Sequence, residues 1–150
     1  EPSIQMYIAE KSEALRELYV SAYSYAATAN YIHQMATDKL VELFGAMHPQ
    51  YTRQDFYELE LATSGMVRSF MARKCDRNFT MEQKLRRFLS CSMTIYGVAE
   101  EKQQQVIDRV LEMDLKSVAD QLVADAIHQA DEQYQEAERK GKAIEAARNG

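Results

Sequence analysis

Glu60, Ser64 and Arg68 recur at four-residue intervals and form a polar row, with Val67 and Met71 on one side and Tyr57 and Leu61 on the other. A carboxylate, a hydroxyl and a guanidinium so placed could orient a polar or anionic ligand. The plainer alternative is a salt bridge or an exposed edge. Eight residues of helix span about 12 Å, so Glu60 and Arg68 need another group between them to pair. A buried charge must find a partner, and the sharper reading therefore turns Arg68 towards a ligand. Tyrosines gather upstream at Tyr7, Tyr19, Tyr23, Tyr25 and Tyr31. Aromatic walls with polar tips suit a flat or amphipathic small molecule. Met6, Met35, Met66, Met71 and Met93 suit an adaptable pocket, although core packing is the plainer account of both sets. The ligand-lining set expected from these patterns is Tyr19, Tyr23, Tyr31, Met35, Ser64 and Arg68.

Other chemistries find little support. Asp125-x-x-His128 places two potential ligands on one helical face, but a di-iron bundle needs two Glu-x-x-His helices and two further Glu-bearing ones. The three histidines form no metal pattern, and no Gly-rich phosphate loop is present. Cys75 and Cys91 make neither a disulfide framework nor a metal-ligand pattern and read as free intracellular thiols. Nothing suggests a nucleophile–base pair. The expectation is no enzyme, no cofactor and no metal.

Net charge is −5, so the chain is a poor candidate for binding DNA through its own field. The charge is uneven: residues 1–98 are balanced, with 11 basic and 11 acidic side chains, while residues 99–138 hold 3 basic and 11 acidic. That stretch reads as a solvated face or as an electrostatic docking surface. No apolar run approaches the roughly 20 residues of a membrane span, and no signal peptide is evident. A cytoplasmic location is expected.

The positioning elements are helices. Five Gly and two Pro in 150 residues, with abundant Ala, Leu, Met, Glu, Gln and Lys, argue an all-α fold. The expected architecture is an antiparallel bundle of six to seven helices in one domain over residues 1–140, with a frayed tail over 141–150. Residues 3–11 read as helix, with Ile4, Tyr7 and Ile8 on one face. Ser12 caps the next helix, and Ser21–Tyr25 breaks it. A helix from Ala26 to Phe44 turns Tyr31, Met35, Leu40 and Phe44 inward, and Gly45 stops it. Thr52 with Asp55, and Thr80 with Gln83, read as capping boxes, and Tyr51 with Phe56 as a hydrophobic staple. Gly97 ends the second of these helices. A helix over 100–112 buries Val106, Val110 and Met113, and Asp114 caps the last, through Leu115, Val118, Leu122, Ala126 and Ile127.

The helix pair over 52–97 is the most distinctive part. Phe56, Leu59, Thr63, Met66, Val67 and Phe70 form a broad stripe, Tyr57 and Leu61 lie opposite, and Ala62, Gly65, Ser69 and Ala72 permit close approach of another helix. The partner helix offers Met81, Leu85, Phe88 and Ile95, with Ser90-Cys91-Ser92 as a small-residue run. This segment, FYELELATSGMVRSFMARKCDRNFTMEQKLRRFLSCSMTIYGV, resembles the helix pair that ends the effector domain of TetR/AcrR regulators. ALRELYVSAYS and the helix ending in ELFG are similar to the middle of such proteins, and the resemblance spans about residues 10–115.

The resemblance implies a C-terminal ligand-binding and dimerisation domain. An N-terminal helix-turn-helix domain, absent from this chain, would supply DNA binding. It implies a homodimer through a four-helix bundle of residues 52–74 and 80–97 with their copies, with Ala62, Gly65, Met66, Ser69, Leu85, Phe88 and Ser92 at the interface. An unknown small molecule would be the effector, and residues 99–140 would be an addition to the family pattern. The competing expectation is a helical protein–protein module with no small-molecule ligand, which would use the apolar 52–97 face and dock through the acidic 99–138 stretch.

Overall fold

Four helix starts follow capping residues in the sequence, Ser12, Thr52, Thr80 and Asp114. In the computed structural model, which describes residues 2–148, seven α-helices form: α1 (Pro2–Lys11), α2 (Glu13–Ala22), α3 (Ala26–Phe44), α4 (Arg53–Ala72), α5 (Met81–Ile95), α6 (Glu100–Glu112) and α7 (Leu115–Arg148). The fold is an all-α helical bundle. Ser12 accepts the Leu15 N–H, and the Thr52/Asp55 and Thr80/Gln83 boxes are complete in both directions. Asp114 accepts the Ser117 N–H. The Tyr51 and Phe56 rings meet at 5.7 Å, as a staple requires. α3 gives way at Gly45 to a 3₁₀ turn over Gly45–Met47. Residues 141–148 continue α7, and 149–150 of the expected tail lie outside the described residues.

The core joins three helices that are distant in sequence. Met6 and Ala9 of α1, Val67 and Met71 of α4, and Leu85 and Phe88 of α5 interlock, each nearly excluded from solvent. α3 lies along α4, α6 along α5, and the first turns of α7 against α1. Beyond Val123 the burial ends: every residue from Ala124 to Ile144 is exposed. The outer part of α7 therefore projects from the bundle as a single helix.

Several inward-facing expectations are corrected. Tyr31 and Met35 are 66% and 51% exposed. α3 instead turns His33, Thr37, Leu40 and Phe44 towards the bundle. Apolar residues occupy both arcs of this helix, and a polar contact from His33 selects the buried one. Met113, Val118, Leu122 and Ile127 also face solvent, because α6 and α7 bury narrower stripes through Gln103 and Ile107, and through Leu115 and Ala119. α4 is not buried on several sides. Phe56, Glu60, Thr63, Ser64, Val67 and Met71 form a single inward face, and Leu61, Ala62, Gly65, Arg68, Ser69 and Ala72 lie outside it.

Candidate functional site

The polar row on α4 passes from core to solvent along its length. Four residues of helix rotate the side chain by 400°, so each step drifts about 40° and two steps about 80°. Glu60 is 3% exposed, Ser64 is 7% exposed, and Arg68 lies on the open surface. Arg68 therefore faces no internal cavity, which corrects the expected pocket at that position. Ser64 donates its hydroxyl to the Leu61 carbonyl, 3.1 Å away in its own helix. The partner of Glu60 is His33 of α3, whose Nδ1 lies 2.6 Å from Oε2. Burial pushes the Glu60 carboxyl above its ordinary value, with His33 opposing the rise. The pair ties α3 to α4 where apolar contact alone would leave the face of α3 ambiguous.

One turn further along α4, Thr63 meets Tyr96 at the end of α5, with 2.7 Å between the two hydroxyls. Thr63 donates to the Leu59 and Glu60 carbonyls, so the Tyr96 hydroxyl donates to Thr63. The Tyr96 ring stacks on Phe44 at 4.8 Å, and its carbonyl lies 2.7 Å from Nε2 of His48. Burial raises the Tyr96 phenol to about 12; the Thr63 hydrogen bond opposes the rise and Glu60 adds to it.

A second cluster lies at the opposite end of α4. Lys84 of α5 is fully buried, yet its Nζ reaches the Arg73 carbonyl and lies 3.3 Å from Glu10 Oε2. The other Glu10 oxygen accepts the Cys75 N–H at 2.9 Å. Burial works against the Glu10 carboxylate, but the Cys75 N–H and Lys84 outweigh it, and the carboxyl sits below its ordinary value. Burial also raises the Cys75 thiol, with Lys84 pulling the other way, and a raised thiol is a poor nucleophile at neutral pH. A cavity of about 410 Å³ opens beside this cluster, bordered by Tyr7, Glu10, Cys75 and Met81 and by the Lys11–Asp120–Lys116 ion pairs. Its charges are matched to one another, so it presents no free charge to a ligand. The sequence signal was a lysine in an otherwise apolar arc of α5. The partner, 74 residues upstream, was not deducible from spacing.

A groove of about 470 Å³ runs between the α4–α5 connection, α5 and α6, with Asn78, Phe79, Gln83, Arg87, Ser90 and Ile107 along it. Arg86 at its edge pairs with Glu82 at 2.9 Å and Asp108 at 3.2 Å. Gln83 uses its carbonyl oxygen to accept the Thr80 N–H in the capping box. Neither cavity contains a residue of the expected ligand-lining set. Of that set, Tyr19 and Tyr23 pack against the core beside Val67 and Met71, while Tyr31 and Met35 face solvent. The six are not brought together. Among the described residues, no group of three or more potential metal ligands assembles.

The expected interface set divides. Leu85 and Phe88 are 1% and 3% exposed inside the chain's own core, where they cannot meet a second subunit. Ser92 is half-buried, with its hydroxyl oxygen enclosed and without a hydrogen-bond partner. Ala62, Gly65 and Ser69 form an exposed strip on α4, with Met66 half-buried at its border. A Cβ built at Gly65 would meet nothing within 4 Å. Among the described residues, no helix is long and apolar enough to cross a membrane. Comparison with family models, curated proteins and solved structures found no match for this chain.

Proposed function

We propose that this chain is the dimerising, ligand-sensing module of a TetR-like repressor, with DNA binding supplied by a domain outside it. The observation that carries the reading is Gly65. Mid-helix glycine costs roughly 0.5–1 kcal/mol relative to alanine, and nothing inside the chain requires a missing side chain there. Ala62, Ser69 and Ala72 share its exposed face, with Leu61 beside them. Such a strip suits close approach by the same strip of a second copy across a two-fold axis. A small molecule bound better by one arrangement of the two subunits would shift the population towards it, and with it the spacing of the attached DNA readers.

Light scattering at micromolar concentration tests the dimer. The expected mass is about twice 17.3 kDa, and Gly65→Gln should return the monomer mass with full helicity. If the wild type is a monomer and Gly65→Gln simply raises its thermal midpoint, the exposed strip has no partner copy and the reading is refuted. One feature favours the alternative of a protein–protein module. The projecting part of α7 carries Asp125, Asp131, Glu132, Glu136 and Glu138 with no lysine or arginine between 124 and 138. A partner recognised there would be basic and helical, and its binding would weaken with added salt.

A further inference from the structure

We propose that the groove between α5 and α6 binds a small aromatic carboxylate, held by Arg87 and received by Phe79 and Ile107. The two cavities differ in how their charges are satisfied. Beside Glu10 and Lys84, every lining cation already has an acidic partner. In the α5–α6 groove, Arg86 is taken by Glu82 and Asp108, but Arg87 makes no ion pair or hydrogen bond among the described residues. The Gln83 amide is half engaged: its oxygen serves the Thr80 cap and its NH₂ has no acceptor among the described residues. Among the described residues the Asn78 side chain is likewise unengaged, since Asn78 uses only its backbone N–H, towards Asp76. The groove thus offers three sets of N–H donors, one of them a guanidinium with no carboxylate in contact, since Glu82 and Asp108 are both turned to Arg86.

Two lining groups then select among anions. Phe79 is held in place by Phe70, at 6.2 Å between ring centroids, and by Lys84, 5.7 Å from its own centroid. Ile107 is 4% exposed and forms an apolar floor from α6. An aromatic ring can lie against these two while its carboxylate meets the planar fork of Arg87, a geometry guanidinium favours. A volume of about 470 Å³ lies in the range of small-molecule sites. That this ligand is the effector rests on the sensing role proposed above; that the groove binds it does not.

Titration calorimetry of the full chain with 2-naphthoate tests the site, with uncharged 2-naphthamide as the comparison. Saturable binding of 2-naphthoate is expected. Replacing Arg87 by glutamine, or the carboxylate by the amide, should each weaken it about 10-fold or more. Arg68→Gln removes an exposed arginine outside the groove and should leave binding unchanged. The proposal is overturned if 2-naphthoate does not saturate the chain at millimolar concentration, or if Arg87→Gln binds as tightly as the wild type. Light scattering beside the titration separates the two claims: a wild-type monomer that binds normally removes the dimer alone, and a wild-type dimer that does not bind removes the groove alone.

Discussion

Removing the Glu10 carboxylate isolates the most enclosed charge among the described residues. Lys84 is fully buried, and its nitrogen lies 3.3 Å from Glu10 Oε2. At that distance and an effective dielectric near 20, the gross attraction is about 5 kcal/mol. Desolvation of the ammonium consumes part of this, and the Glu10 side chain is itself 22% exposed, which weakens the pair further. Glu10→Ala also strips the Cys75 N–H of its acceptor and leaves Lys84 with the Arg73 carbonyl and the face of Phe79. The expected loss is about 3 kcal/mol, at the lower end for breaking a buried pair, or roughly 6–12 °C in the thermal midpoint of a chain this size. Urea denaturation followed by circular dichroism measures it.

Adding Lys84→Met removes the orphaned charge while keeping the stem volume. The double variant should therefore recover at least about 1 kcal/mol relative to Glu10→Ala. The pH dependence follows from the Glu10 carboxyl lying below the ordinary value of 4.5. A lowered acid contributes stability that is present above 4.5 and lost as pH falls through its folded-state value. The wild type should lose this contribution on acidification, and Glu10→Ala should lack that part of the slope. A single-variant loss under about 0.5 kcal/mol, or a double variant that loses the sum of both changes, would refute the pairing.

Three further outcomes are expected. Absorbance at 295 nm should show Tyr96 ionising only near pH 12. Because this phenol is raised in the folded state, its contribution is complete below pH 10 and lost as pH climbs towards 12; Tyr96→Phe should delete the late step. Gly97 ends α5 with φ +69°, and a Cβ there would lie 3.1 Å from the His48 ring. Gly97→Ala should cost about 1–2 kcal/mol in urea denaturation, and an unchanged midpoint would show that the turn relaxes without strain. Deleting residues 130–150 should shift the folding free energy by under about 0.5 kcal/mol, since Ala124–Ile144 are exposed; a loss above 1 kcal/mol would mean that this arm is held by a partner copy.

Local signals in the sequence were legible and long-range ones were not. Ser12, Thr52, Thr80 and Asp114 mark helix starts because a cap is satisfied within three residues, and the structure forms each one. Gly97 marks a stop for the same reason, being the one described residue with positive φ. The choice of buried arc was harder. On α3 the apolar residues offered two faces, and the decision lies with Glu60, 27 residues downstream of His33. On α4 the four-residue row looked uniform, yet its 40° drift per step separates a buried carboxylate from an exposed guanidinium. Leu85 and Phe88 look equally suited to an outer or an inner contact until α1 is seen to cover them. Lys84 gave no local sign of its partner on α1.

α7 unites two regimes of protection within one unbroken helix. Its base, at Leu115 and Ala119, is 5% and 1% exposed, so amide hydrogens there should exchange only when the bundle opens. Past Val123 the backbone is guarded by helix–coil fluctuation alone, helped by the Lys140–Glu136 and Lys142–Glu138 pairs at 2.7 and 2.6 Å. Such exposed i,i+4 pairs contribute a few tenths of a kcal/mol each, so exchange should quicken steeply beyond that residue. The gradient makes the arm its own reporter: whatever grips the outer turns would slow exchange there and leave the base unchanged.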